Sequence, residues 1–165
     1  MPRDFPRRNE LVVATVKRVE DHGVIATLDE YGGLEAYIPR GHVASGRIKD
    51  IRDFVKEGDR VVGRVIRANR ARLQVDLSLR YVSKEQAEKK LREWKERSRA
   101  LSLLKVAASR AGVQNPEAIA QRILDRIEKS YESALDALED ALSNPDLLDE
   151  LEVPKEVAEQ LIPLI

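Results

Sequence analysis

The hydrophobic period of this chain changes once, near Ser83, and that change limits the folds open to it. Before Ser83 the apolar residues fall in short, β-branched runs with alternation. After it they recur every three to four residues through stretches without proline. Strand side chains alternate between two faces, whereas helix side chains return to one face about every 3.6 residues. The sequence therefore predicts a β half followed by an all-α half.

Five runs read as strands: Leu11 to Val19, Val24 to Leu28, Leu34 to Ile38, Arg60 to Ala68 and Arg72 to Leu79. In the last, Leu73, Val75, Leu77 and Leu79 are expected inward, with Gln74, Asp76 and Ser78 outward. Gly23 marks a turn or bulge, and Gly63 a bend or bulge of the kind a small barrel needs. Pro39 has no N–H to donate, so pairing of the third strand stops there or runs at an edge. The economical architecture is a five-stranded Greek-key barrel of the oligonucleotide-binding type over residues 10–82. Residues 1–9 are polar with two prolines and read as a flexible start.

Ser83 and Gln86 form a capping box that opens the helical domain, residues 83–165. Ala87, Leu91 and Trp94 share one face. Leu101, Leu104 and Ala108 extend it after a possible break near Ser98, and Gly112 ends the run. Asn115-Pro116 is a second helix start. Ile119, Ile123, Leu124, Ile127 and Tyr131, then Leu135, Leu138 and Leu142, are expected inward, followed by Leu147, Leu148 and Leu151. Val153-Pro154 opens the last helix, with Val157, Leu161 and Ile162 inward. Tyr81-Val82-Ser83 contains no Gly or Pro, which predicts two rigidly joined domains. Trp94 has two open readings, bundle core or domain junction.

Charge divides along the same line. The chain has 29 basic and 29 acidic residues and no net charge, yet residues 1–82 carry +4 and residues 83–165 carry −4. The excess is concentrated further: Arg40 to Arg80 hold eleven Lys/Arg against five Asp/Glu. That is a phosphate-binding footprint, with a solvated arginine-rich face as its bland alternative. Within it lies a loop, Arg40 to Asp59, that joins the third and fourth strands. Its apolar residues Ile48, Ile51, Phe54 and Val55 are expected to anchor it, leaving Arg47, Lys49 and Arg52 outside. The aromatics among the strands and their turns are Tyr31 and Tyr37, so backbone contact is expected to outweigh base stacking.

Other chemistry is poorly supplied. The absence of cysteine excludes disulfides and thiolate sites. His22 and His42 fit no metal-ligand spacing. Asp50 and Asp53 read as partners of Lys49 and Arg52. The glycines match no nucleotide-binding pattern. The expectation is a non-enzyme without metal or cofactor, cytoplasmic and off the membrane, with these residues monomeric.

Residues 10–82, with VKRVEDHGVIATL, GLEAYIP, KEGDRVVGRVIRA and VDLSLR, resemble an S1-type RNA-binding domain. The longer combination EYGGLEAYIP, VASGRIKDIRDFVKEGDRVVGRVIR and VDLSLRYVSKEQA, with SALDALEDALSNPDLLDELEVPKEVAEQL, resembles the alpha subunit of archaeal and eukaryotic translation initiation factor 2. The resemblance implies a non-catalytic subunit of a heterotrimer whose gamma subunit binds GTP. That complex brings methionylated initiator tRNA to the small ribosomal subunit, with the S1 loop near mRNA upstream of the start codon. It also implies a third, gamma-docking α/β domain that this chain stops short of. Arg47 matches the family's mRNA-contacting arginine. The RNA-binding set expected here is Arg40, Arg47, Lys49, Arg52, Arg64, Arg67 and Tyr37. The regulatory phosphoacceptor serine of eukaryotic members falls at Ala44, which leaves the adjacent Ser45 as the candidate regulatory residue, and the strand-two aromatic of S1 domains falls at Ile25. A stand-alone S1 module in RNA turnover or ribosome association, and a protein-interaction scaffold, are the alternative readings.

Overall fold

The computed structural model describes residues 4–165. Five strands, β1 (Leu11–Val19), β2 (Gly23–Leu28), β3 (Leu34–Pro39), β4 (Arg60–Asn69) and β5 (Gln74–Ser78), close into a barrel in the order β1-β2-β3-β5-β4. Closure needs two non-hairpin contacts. β1 pairs antiparallel with β4, Leu11 opposite Arg64, and β3 runs parallel to β5 with Tyr37 opposite Asp76. The alternating apolar residues fill the interior: Val12, Ala14 and Val16 of β1, Val24, Ala26 and Leu28 of β2, Ile38 of β3, and Val75 and Leu77 of β5. Burial of a large aliphatic side chain contributes roughly 1.5–3 kcal/mol, so this alternation holds the barrel shut.

Register breaks fall at Val16/Arg18 and at Val65/Arg67. The bulge expected at Gly63 is thus displaced by two residues. Gly63 pairs regularly with Val12, and its need is space: a Cβ there would lie 3.2 Å from Cβ of Leu77. Gly23 likewise serves close approach. It starts β2 opposite Pro39, and a Cβ would sit 2.6 Å from the Ile38 carbonyl oxygen and against the Tyr37 ring.

In the β half, two inward assignments and one outward assignment change. Leu73 lies in the β4–β5 turn at φ 51° and is 64% exposed. Ser78, expected outside, is fully buried, because its hydroxyl accepts from the Tyr81 N–H at 3.1 Å and pairs with His42 Nδ1 at 2.8 Å. Phe54, expected as a loop anchor, is 49% exposed, while Ile51 and Val55 are buried in the barrel core with Ile48 packed alongside. Phe54 closes a short 3-10 turn at Ile51–Asp53, and that turn points its side chain away from the core.

The segment expected to fray is laid along the barrel from Asp4 onward. Phe5 packs on the core, Pro6 is buried, and the Asn9 N–H donates to the Val65 carbonyl at 2.7 Å.

Helix α1 (Lys84–Arg110) starts from the expected capping box: Gln86 N–H donates to Ser83 Oγ at 3.1 Å and Ser83 N–H to Gln86 Oε1 at 3.0 Å. It is unbroken at Ser98. The chain forms two compact units, one reaching Arg92 and the other starting at Glu93, so the division falls inside α1. In the first unit Lys90 meets Glu30 at 2.8 Å. The second unit adds α2 (Pro116–Glu128), α3 (Ala134–Ser143), α4 (Asp146–Glu150) and α5 (Lys155–Leu161). Leu104, Ile123, Leu124, Ile127, Leu138, Leu148 and Leu161 form its core. Asn115 precedes α2 in a left-handed conformation without a side-chain cap, whereas Ser133 caps α3 through the Asp136 N–H. Leu142 lies outside, at 49% exposure; the small Ala137 and Ala141 take the inward face of α3 with Leu138.

Replacing Ile51 by alanine should cost about 2–5 kcal/mol of stability. Phe54→Ala should cost less than about 1 kcal/mol, as expected of an exposed site. Urea unfolding of the two variants measures this, and equal losses would place both side chains in the core.

Candidate nucleic-acid interface

Pro39 ends the β3 ladder, and residues 40–59 then cross to β4 with only two 3-10 turns, Arg40–His42 and Ile51–Asp53. A connection of this length leaves many backbone groups to be satisfied by other means. Arg40 supplies much of the answer. Its Nη2 donates to the carbonyls of Ile48 and Lys49, both at 2.7 Å, and its Nη1 to that of Asp21 at 2.8 Å. One guanidinium thus joins the loop to itself and to the β1–β2 turn, a task suited to a planar fork of donors.

Other contacts fix the loop's two ends. The His42 carbonyl accepts from Leu79 N–H at 2.8 Å and Arg80 N–H at 3.1 Å, and the ring packs edge-on against Tyr81. Asp50 caps the second turn by accepting from the Arg52 N–H at 3.0 Å. Arg52 returns to the β1–β2 turn, donating to the Val19 carbonyl at 3.2 Å and lying 3.6 Å from Asp21 and from Asp50. The expected pairing of Asp50 with Arg52 is present.

The cations singled out from the sequence now separate by what they touch. Arg40 spends its terminal donors on carbonyls. Arg64 also donates to carbonyls, through Nη1 to that of Asn9 at 2.8 Å and through Nε to that of Tyr81 at 3.1 Å. Arg67 stands 3.9 Å from Asp76, a long and therefore weak ion pair. Arg47 and Lys49 are exposed and make no side-chain hydrogen bond or ion pair among the described residues. Ala44 is half-buried and Ser45 exposed.

Tyr37 belongs to a different face. Register places Arg18, Ile25, Tyr37, Asp76 and Arg67 in one row across five strands. The Tyr37 hydroxyl donates to the His22 carbonyl at 2.9 Å, so the ring is held down. Its edge borders an open groove of about 490 Å³ with Ile25, Arg72 and Leu73. Beside it Lys17 meets Glu35 at 2.9 Å, and this hydrogen bond lowers the Glu35 carboxyl below its ordinary range. Among the described residues no cluster of three or more His, Cys, Asp or Glu can hold a metal ion, and no helix is long and apolar enough to cross a membrane.

The sequence pointed to the loop's charge, but gave no sign that Arg40 would be consumed internally. Only Pro39 directly before it hinted that backbone pairing ended there and had to be replaced.

Known proteins agree with the barrel and extend beyond it. A family profile described as the S1 RNA binding domain matches residues 6–80. A translation initiation factor 2 subunit alpha from Methanopyrus kandleri is 48% identical across 98% of this chain and 61% of its own length. The crystal structure of the a/eIF2alpha–aDim2p–rRNA complex from Pyrococcus horikoshii superposes with a TM-score of 0.78 at 38% identity, covering 97% of this chain and 95% of that one. The chain belongs to the alpha-subunit family of translation initiation factor 2. The intact alpha subunit of aIF2 from Pyrococcus abyssi matches with a TM-score of 0.88 at 38% identity, over 98% of this chain and 62% of that one. The match runs through barrel and helices alike, which separates this family member from an S1 module standing alone. The chain spans about 60% of the length of these full-length relatives.

Arg40→Ala should release residues 44–50 without unfolding the barrel, seen as faster amide hydrogen exchange confined to that segment. Arg40→Lys should not restore protection, because one ammonium cannot reproduce the fork. Unchanged exchange would show that the carbonyl contacts do not hold the loop.

Proposed function

We propose that this chain is the non-catalytic, RNA-contacting part of a translation initiation factor 2 alpha subunit. In the heterotrimer it acts beside a GTP-binding gamma subunit, and the complex delivers methionylated initiator tRNA to the small ribosomal subunit in the cytoplasm. The loop between β3 and β4 meets mRNA just upstream of the start codon. The observation that carries this reading is the pair Arg47 and Lys49: two cations without internal partners, on a loop whose neighbouring arginines hold it in place. Pre-organised cations lose less freedom when phosphate binds, so the arrangement favours backbone contact.

Arg52 and Arg67 contribute secondarily. Each is more than half exposed, and its carboxylate contacts are long enough to be exchanged for phosphate. Arg40 and Arg64 act by positioning. Tyr37 offers a ring edge on the neighbouring groove, with a single base as its reach. Ala44 lacks a hydroxyl, so serine phosphorylation at that position is not part of this subunit's control; the exposed Ser45 beside it is the hydroxyl that a kinase could reach. Docking on the gamma subunit is assigned to sequence outside residues 1–165, so these residues alone should not retain gamma in a pull-down; tight retention would refute that assignment.

Arg47→Ala with Lys49→Ala should weaken binding to a short single-stranded RNA. The slope of log K against log salt should become shallower by about 0.7 for each phosphate no longer neutralised. The fold should be unaffected. An unchanged slope would remove both side chains from the RNA surface.

A further inference from the structure

The N-terminal segment carries charge that the loop does not account for. Residues 4–8 lie beside the far end of β4, and together they form an open groove of about 390 Å³. Asp4, Phe5, Arg7, Arg8, Ala68 and Arg70 line it. Arg7 and Arg8 are exposed and make no side-chain hydrogen bond or ion pair among the described residues. Arg70 pairs with Asp4, and both side chains are well exposed, at 66% and 77%. Such a pair is worth little in water and yields readily to a competing anion.

The segment is fixed at several points. Phe5 packs on the barrel core and Pro6 is buried. The Arg7 N–H donates to Glu10 Oε1 at 3.1 Å, Asn9 N–H donates to Val65, and the Asn9 carbonyl accepts from Arg64. Two unpaired guanidinium groups are therefore held beside a third whose partner is exchangeable. Ala68 and Arg70 lie at the end of β4 remote from Arg60, where the loop returns. Ala68 is eight residues from Arg60 and Arg70, just past the strand's end, is ten, which places them roughly 25–30 Å from that return.

We propose that Arg7, Arg8 and Arg70 form a second phosphate-binding site for single-stranded RNA, separate from the β3–β4 loop. The proposal rests on the RNA-contacting reading above and adds to it a second contact on the same barrel. The β4–β5 turn stands between this groove and the one bordered by Tyr37, with Arg70 on one side and Arg72 on the other. A flexible single strand can follow such a surface by its backbone, whereas a stiff duplex has a fixed phosphate spacing. On binding, a phosphate takes the place of the Asp4 carboxylate at Arg70.

The test is fluorescence anisotropy with a labelled single-stranded RNA of about sixteen nucleotides, at the long end of site sizes for one such barrel. Affinity is followed across a salt series for the parent protein and for Arg7→Ala/Arg8→Ala, Arg7→Lys/Arg8→Lys, Asp4→Asn and Arg47→Ala/Lys49→Ala. The alanine pair should make the salt slope shallower by about 1.4, the amount for two single-strand phosphates. The lysine pair should keep the slope, which separates the effect of charge from that of structure. Asp4→Asn should bind about two- to fivefold tighter, since it frees Arg70. An alanine pair with unchanged slope and affinity, while Arg47→Ala/Lys49→Ala lowers both, would overturn the second site and leave the first intact. Failure of the parent protein to bind RNA at low salt would instead overturn the RNA-contacting reading itself.

Discussion

The guanidinium of Arg40 is the contact on which the working part of this barrel depends. Once Pro39 ends the β3 ladder, most carbonyls of residues 40–59 need partners outside a strand ladder. Arg40 reaches two of them, those of Ile48 and Lys49, and a third carbonyl on the β1–β2 turn, that of Asp21. Ile51 and Val55 bury the loop's apolar side in the core, and Asp50 caps the turn between. Between the Arg40 contacts and the chain's turn at Gly46, the side chains of Arg47 and Lys49 are left without internal work. A loop of this length would otherwise carry a large ordering cost into any complex.

The same economy runs through the other arginines. Charge counting treats all eleven basic residues between Arg40 and Arg80 alike. The fold does not. Arg64 fastens the N-terminal segment and the chain after β5, Arg52 fastens the loop to the β1–β2 turn, and Arg67 faces an aspartate. An arginine that donates to carbonyls has a role that lysine cannot fill, whereas an unpaired one at a phosphate surface acts mainly by charge. The barrel thus uses one residue type for construction and for contact, and only geometry tells the two apart.

How much of this was legible beforehand follows from what kind of signal each element sends. The five strands and their order of burial were readable because period-2 alternation is a local property, as Val24, Ala26 and Leu28 show. The start of α1 was readable because Ser83 and Gln86 satisfy each other three residues apart. What escaped depends on distant partners. Ser78 is buried because His42 and Tyr81 meet its hydroxyl, and no local pattern announces that. Phe54 is outside because the 3-10 turn before it rotates the chain, so hydrophobicity alone misplaced it. The N-terminal segment looked free because its prolines and charges resemble a tail, yet Phe5 and Asn9 find sites on the barrel. In the candidate site, Arg47 and Lys49 were visible as charge, while the division of labour among their neighbours was not.

We propose that a loop held by Arg40 presents Arg47 and Lys49 to RNA. Mapping backbone amide shifts while a short single-stranded RNA is titrated into the protein tests it most directly. The largest changes are expected at residues 45–49, with the amides of α2 to α5 unmoved. Changes confined to those helices, with residues 45–49 silent, would contradict it.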